Sequence, residues 1–239
     1  MKVVAIHQPN FFPWLGYFDK ILRSDCFVFL DSVQMPLTGS SYPNRVSILM
    51  GGKPSAIQIP AVRGIEARAT IRNASIANVP KCREKILTTV QQNYAKAPFA
   101  KEILPVLTPL ILNPAGTIGD YNELAIRKIS QLLGQPDEKM VRASDLSTSG
   151  ASTDLLISIV KAAGGNTYMA GGGAGGYQED NKFSAAGVKL VYQEFRHPVY
   201  SQFKSGTFMP GLSIIDALMN LGFDGTRTLL DSTVSKTKP

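Results

Sequence analysis

The sequence predicts a doubly wound α/β fold, in which a mostly parallel sheet carries a helical insertion and a β-hairpin. The first observation is that residues 3–30 read as strand, helix and strand, and that this alternation returns between residues 154 and 221. The second is that residues 79–135 between them show helical character without strands. Because a strand–helix–strand unit joins parallel strands, the two ends of the chain are expected to share one sheet.

The first βαβ unit is the clearest part of the pattern. Val3–Ile6 is apolar and β-branched, and Cys26–Leu30 is a continuous apolar run typical of a covered parallel strand. Between them, Trp14–Arg23 has apolar side chains at positions 14, 15, 17, 18, 21 and 22, which form one helical face. Pro13 suits the first turn of that helix, where its missing N–H is not needed.

The middle of the chain predicts a hairpin and then a helical lobe. Residues 45–50 and 55–59 are strand-like and are joined by Gly51 and Gly52. The helical character that follows is interrupted by prolines at positions 98, 105, 109 and 114. We therefore expect one α/β domain over residues 1–235, with 79–135 as its helical lobe and 236–239 as a flexible tail.

The last third of the chain returns to the α/β pattern. The predicted elements are a helix at 154–163, a strand at 166–170, a glycine loop at 171–176, a helix at 177–186, a strand at 188–195 and a final helix at 212–221. The final helix is followed by Gly222, a residue type that commonly ends helices.

Composition restricts the classes of function. The longest apolar runs are too short to span a membrane, and no signal peptide precedes the first strand, so we expect a cytoplasmic protein. Two cysteines and two histidines argue against a disulfide framework, a zinc site or a tightly bound cofactor, whereas Mg²⁺ held by carboxylates and water stays open. The net charge of +7 comes from scattered basic residues, which favours a small phosphate-bearing ligand over a nucleic-acid surface.

Two polar residues lie at predicted strand ends. His7 follows the first strand and Asp31 follows the second, so both are expected at the carboxyl edge of the sheet, where open α/β folds bind ligands. His7 would serve there as a base or a phosphate ligand, or else cap the following helix. Asp31 would orient the histidine, bind magnesium or a ribose hydroxyl, or simply form a turn. Gln8 and Asn10 are too polar to be core residues alone.

Further candidates lie near other predicted element ends. Asn44 and Arg45 precede a strand, where a guanidinium can bind phosphate or carboxylate. Gly171, Gly173 and Gly176 match G-x-G-x-x-G, but the motif comes late for a dinucleotide fold, so we favour a loop whose amides approach an anion.

One face of the final helix is polar. Ser213 and Asp216 share that face, and His197 and Tyr200 precede it in a loop, so all four are candidates for lining the same cleft or for facing solvent. A hydrolase triad is disfavoured because no G-x-S-x-G turn presents the serine.

Five segments together resemble the WbqC-like family of bacterial proteins. They are HQPNFFPWLGYFDKI, FVFLDSVQ, NRVSI, YMAGGGAGGY and FMPGLSIIDALMNLG, and the resemblance extends from Val3 to Phe223. It implies a role in O-antigen or other lipopolysaccharide synthesis, as a glycine or acyl transferase that modifies amino sugars. Residues at the recurrent motif positions are His7, Gln8, Asp31, Asn44, Arg45, Gly171, Tyr177, His197, Ser213 and Asp216.

The resemblance and the chemistry of acyl transfer together predict roles. His7, Asp31 and Asp216 are the predicted catalytic residues, with His7 as the base that takes a proton from the attacking amine. The predicted substrate-binding residues are Gln8, Asn10, Asn44, Arg45, Gly171, Gly173, Tyr177, His197, Tyr200 and Ser213. The expected partners are a nucleotide sugar and an activated acyl donor, for which aminoacyl-tRNA stays open.

Two other functions stay open. A strand ending in histidine before a loop and a helix is loosely similar to the start of nucleotidyl transferases, although their second histidine is missing here. An ATP-using nucleotidyl transferase or ligase is therefore one alternative. A non-catalytic protein that binds sugar nucleotide or RNA is the other.

Overall fold

The computed structural model describes residues 1–36, 42–62, 69–79, 81–172 and 179–235. Its strands are β1 (Val3–His7), β2 (Cys26–Phe29), β3 (Arg45–Met50), β4 (Lys53–Gln58), β5 (Met140–Arg142), β6 (Thr167–Ala170) and β7 (Lys189–Tyr192). Its α-helices are α1 (Leu15–Arg23), α2 (Lys81–Tyr94), α3 (Ala100–Ile111), α4 (Ile118–Leu132), α5 (Ser152–Ala162), α6 (Asp180–Ala185) and α7 (Ile214–Ser235).

The central sheet has five parallel strands in the order β5-β2-β1-β6-β7. β1 is its middle strand, and His7 pairs with Phe29 of β2 while Val3 pairs with Thr167 of β6. A separate antiparallel hairpin is formed by β3 and β4. The predicted fold class is confirmed, including the sharing of one sheet by the two ends of the chain.

Alternating residues of β1 pack into two cores on opposite faces of the sheet. Ala5 belongs to the larger core, together with Phe18 of α1 and residues of α3, α4 and α7. Val4 and Ile6 belong to the smaller core, together with residues of α5 and Phe183 of α6. Because side chains of a strand alternate between faces, this apolar run is covered by helices on both sides.

The direction in which strands are added reverses at β1. β2 and β5 lie on one side of it, whereas β6 and β7 lie on the other. The gap between the carboxyl ends of β1 and β6 is therefore the topological switch point, where ligands of open α/β sheets bind.

The helical lobe was predicted with breaks at four prolines. Two of those breaks, at Pro105 and Pro109, were wrong. α3 continues through Pro105 and Pro109. Ile103, Leu107 and Ile111 on this helix are fully buried. Burial of that face outweighs the loss of backbone hydrogen bonds at the prolines, since tertiary packing overrides helix propensity.

The structure differs from the predicted elements in three other places. The short strand β5 was not predicted, because Met140–Arg142 is too short to show periodicity. β7 ends at Tyr192 rather than at Phe195. The final helix was predicted to end at Gly222; the helical conformation does break at that residue, but a second helical segment continues to Ser235.

Candidate functional site

His7 ends β1 at the switch point and is half-buried. Its Nδ1 lies 3.1 Å from the Gln8 carbonyl oxygen, which can only accept a hydrogen bond. Nδ1 therefore carries the proton, and Nε2 keeps a free lone pair. Burial, together with the charge of Lys20, lowers the pKa of His7 to about 3, so the ring is neutral at physiological pH.

The backbone that follows His7 is tied to the loop before the hairpin. Asn122 of α4 donates from Nδ2 to the carbonyls of Pro9 at 2.8 Å and Pro43 at 2.6 Å. The Phe11 amide donates to the Tyr42 carbonyl at 3.0 Å. This loop, residues 8–14, is therefore held in place by two chain segments that are distant in sequence.

The end of the same loop is held by α7. Ser213 Oγ donates to the Phe12 carbonyl at 2.7 Å, and the Ile214 amide donates to the Pro13 carbonyl at 2.8 Å. Ser213 Oγ also accepts from the Ile215 amide at 3.2 Å, which caps the helix. Phe12 has a φ of 37°, a left-handed conformation that a non-glycine residue adopts only when its surroundings impose it.

Lys20 is the residue of this site that sequence reasoning missed. It is 2% exposed, and its ammonium lies 3.4 Å from the Ile6 carbonyl. A Cβ built on Gly171, just after β6, would lie 3.4 Å from the same Nζ. Burial lowers the pKa of Lys20 to about 8. The sequence carried no signal for it, because Lys20 lies outside the apolar face of α1.

Asp31 lies two residues beyond β2 and is buried. Its Oδ1 accepts from the Ser144 amide at 3.0 Å and its Oδ2 from the Ser144 hydroxyl at 2.6 Å. The carboxylate thus caps the short 3₁₀ helix Ala143–Asp145 that follows β5. In the described part of the chain it is Gln8, and not Asp31, that is hydrogen-bonded to the His7 ring.

Asp216 is fully buried near the start of α7 and forms a second polar cluster. Its carboxylate accepts hydrogen bonds from Tyr94 at 2.8 Å, Tyr200 at 2.7 Å and Gln202 at 3.1 Å. Burial raises the pKa of Asp216, and the three donors act in the opposite direction. The predicted residues Tyr200 and Asp216 therefore contact each other.

His197 packs on the residue that precedes α1. Its ring centroid lies 5.0 Å from that of Trp14 and 5.2 Å from that of Phe195. The Gly211 amide lies 3.4 Å from His197 Nδ1, which accepts its hydrogen. Burial lowers the pKa of His197.

The other predicted binding residues lie in three places. Asn10 is 3% exposed, and its Oδ1 has no hydrogen-bond partner among the described residues. Asn44 and Arg45 belong to the hairpin, where the Asn44 carbonyl accepts from the Ile59 amide at 2.9 Å and Arg45 is exposed. Gly173 and Tyr177 lie outside the described residues.

Two cavities lie elsewhere on the described surface. One of about 720 Å³ lies between β4 and α2, and another of about 570 Å³ lies between α5 and α6. None of the predicted site residues lines either cavity.

Within the described ranges, no cluster of three or more histidine, cysteine, aspartate or glutamate residues could hold a metal ion. No helix in that part of the chain is long and apolar enough to cross a membrane.

A sequence model of the WbqC-like protein family matches residues 8–228. The chain belongs to this family. It is 27% identical over 225 residues to the uncharacterized protein Rv1507c of Mycobacterium tuberculosis, a match that covers 93% of this chain and 95% of its relative. No solved structure matches the chain.

Proposed function

We propose that the chain is a transferase that moves an acyl or aminoacyl group, such as glycyl, onto the amine of an amino sugar. The acceptor would be a nucleotide-linked or surface-polysaccharide precursor, in line with the family resemblance. The observation that carries the proposal is the neutral His7 at the carboxyl end of β1, beside the buried Lys20. Both groups lie beside the switch point of the sheet, where open α/β folds bind their ligands.

The reaction needs a proton acceptor at the attacking nitrogen. As the amine forms its bond to the donor carbonyl carbon, it loses a proton, which His7 accepts at Nε2 and returns to the leaving group. The Gln8 carbonyl holds the ring in the required tautomer. With a pKa of about 3 His7 is a weak base, and an anionic substrate beside the ring would raise this pKa toward neutrality.

The remaining site residues are assigned supporting roles. Amides after β6 would bind the substrate phosphate or the carbonyl oxygen that becomes negative, and Arg45 would bind phosphate. Asp31 and Asp216 are assigned to holding the chain segments around the site, because neighbouring donors already occupy their oxygens.

The test is product formation by the purified protein. It is incubated with UDP-linked amino sugars and either acyl coenzyme A or glycyl-tRNA, and the mass of the acylated sugar is followed. His7→Ala is expected to lower kcat at least about 100-fold. His197→Ala, the matched histidine variant, is expected to change KM more than kcat because that ring packs on Trp14 at the end of the loop of residues 8–14.

The same incubations separate the alternatives. Exchange of pyrophosphate into ATP in the presence of glycine would show that the protein catalyses an adenylating reaction and not simple acyl transfer. Tight binding of a sugar nucleotide that survives His7→Ala, with no product from any donor, would show a binding protein instead. Unchanged kcat in His7→Ala would remove the base assignment.

A further inference from the structure

Lys20 is a buried cation without a counter-charge among the residues that the structure describes. Its only hydrogen bond there, to the Ile6 carbonyl at 3.4 Å, is longer than an ordinary N–H···O bond. The adjacent Asp19 carboxylate is occupied by Gln193 at 2.7 Å and by Arg23 at 3.5 Å. An ammonium has three donors, so Lys20 retains hydrogen-bonding capacity that the described part of the chain does not use.

The ammonium lies beside the first residue after β6, at the carboxyl edge of the sheet. Gly171 follows β6 directly and is partly exposed, and the space that a side chain would fill there lies beside Lys20 Nζ. His7 is close enough for the charge of Lys20 to lower its pKa. A ligand atom that occupies the space beside Gly171 therefore meets the lysine.

We propose that Lys20 binds a phosphate or pyrophosphate group of the substrate at the β1–β6 gap. This inference rests on the proposed function and specifies its substrate class, namely an acceptor or donor that carries phosphate. A buried, uncompensated charge is unfavourable until an anion pairs with it. A lysine is a compact point charge that suits phosphate, and a glycine beside it lets the ligand oxygens approach.

The experiment measures binding rather than turnover. Inorganic pyrophosphate, UDP, coenzyme A and uridine are titrated calorimetrically into wild-type protein, Lys20→Met and Lys101→Met. Lys101 is an exposed lysine of α3 and provides the matched control. Wild type and Lys101→Met are expected to bind at least one phosphate-bearing probe and to bind uridine weakly. Stronger binding of UDP would indicate a nucleotide-sugar phosphate, and stronger binding of coenzyme A a donor phosphate.

Lys20→Met is expected to lose at least 10-fold in affinity for that probe. Its unfolding temperature without ligand should stay the same or rise, because a buried charge has been removed. Gly171→Val offers a second route, since its side chain would fill the space beside the ammonium, and it should weaken binding by a similar factor. Gly116→Val, at an exposed glycine with open space around it, is its control.

The inference is overturned if wild type binds none of the phosphate-bearing probes, or if Lys20→Met binds them as wild type does. Its outcome is separate from that of the transfer assay. Lys20-dependent phosphate binding without transfer would refute the proposed function and leave the phosphate site in place. Transfer to a phosphate-free sugar, without any phosphate binding that depends on Lys20, would support the proposed function and refute the phosphate site.

Discussion

The Tyr200 hydroxyl donates a hydrogen bond of 2.7 Å to the Asp216 carboxylate, which also accepts one of 2.8 Å from Tyr94. Tyr94 belongs to α2 and Asp216 to α7, so this cluster joins the helical lobe to the last helix. The Tyr94 oxygen additionally accepts from the Leu49 amide at 2.9 Å, which brings in the hairpin. The cluster around Asp216 thus joins four parts of the chain, namely α2, the hairpin, the loop that carries Tyr200 and α7.

Asp216→Ala is expected to lower the free energy of unfolding by about 3 kcal/mol, because it leaves buried donors without an acceptor. Tyr200→Phe removes one of these bonds and should cost about 1 kcal/mol. Urea denaturation measures both values. If Asp216 acts in catalysis instead, Asp216→Asn would abolish transfer while its urea midpoint stays near that of wild type.

His7 is expected to make the free energy of unfolding depend on pH. Because burial lowers its pKa to about 3, the unfolded chain binds a proton near pH 6.5 that the folded protein does not bind. The free energy of unfolding is expected to fall as the pH falls from about 6.5 toward 3, by at most about 1.4 kcal/mol per pH unit. His7→Gln should flatten this slope in urea titrations at pH 7, 6, 5 and 4. An unchanged slope in His7→Gln would contradict the assignment.

Asn122 is expected to determine the order of the loop after β1. Asn122→Ala removes both bonds to the Pro9 and Pro43 carbonyls and should cost about 2–3 kcal/mol. Hydrogen exchange of the Phe11 amide should accelerate, because its acceptor lies on the segment that is released. Asn113→Ala, a buried asparagine bonded only within the lobe, is the control and should leave that amide unchanged.

Gly222 separates the two segments of α7, and we expect substitution there to be costly. Its φ is 68°, and a Cβ would lie 2.7 Å from Cδ1 of Phe99. Gly222→Ala should destabilise the protein by about 2 kcal/mol in thermal or urea unfolding, from backbone strain and overpacking together. Gly116→Ala has no such contact and should be nearly neutral. Phe99→Ala in the Gly222→Ala background should restore part of the loss, and its failure to do so would exclude the clash as a cause.

How much of the site could be predicted depended on the range of the interactions. His7 was found because the end of an apolar strand is visible in the local pattern, and parallel pairing then places it at the sheet edge. Lys20 was missed because a lysine on a helix normally extends to solvent. Only the tertiary structure places its ammonium in a buried position beside the Ile6 carbonyl and Gly171. Orienting His7 was one of the roles considered for Asp31, whereas its partner in the structure, Ser144, follows a strand that is too short to be recognised.

The sequence by itself determined the fold class, the first βαβ unit, the hairpin, the helical lobe and the break at Gly222, because each depends on periodicity or on residue types within a few positions. Tertiary structure alone decided the strand order, the switch point beside His7, the partners of Asp31 and Asp216, and the burial of Lys20. These depend on contacts between residues far apart in the chain, which local patterns do not encode.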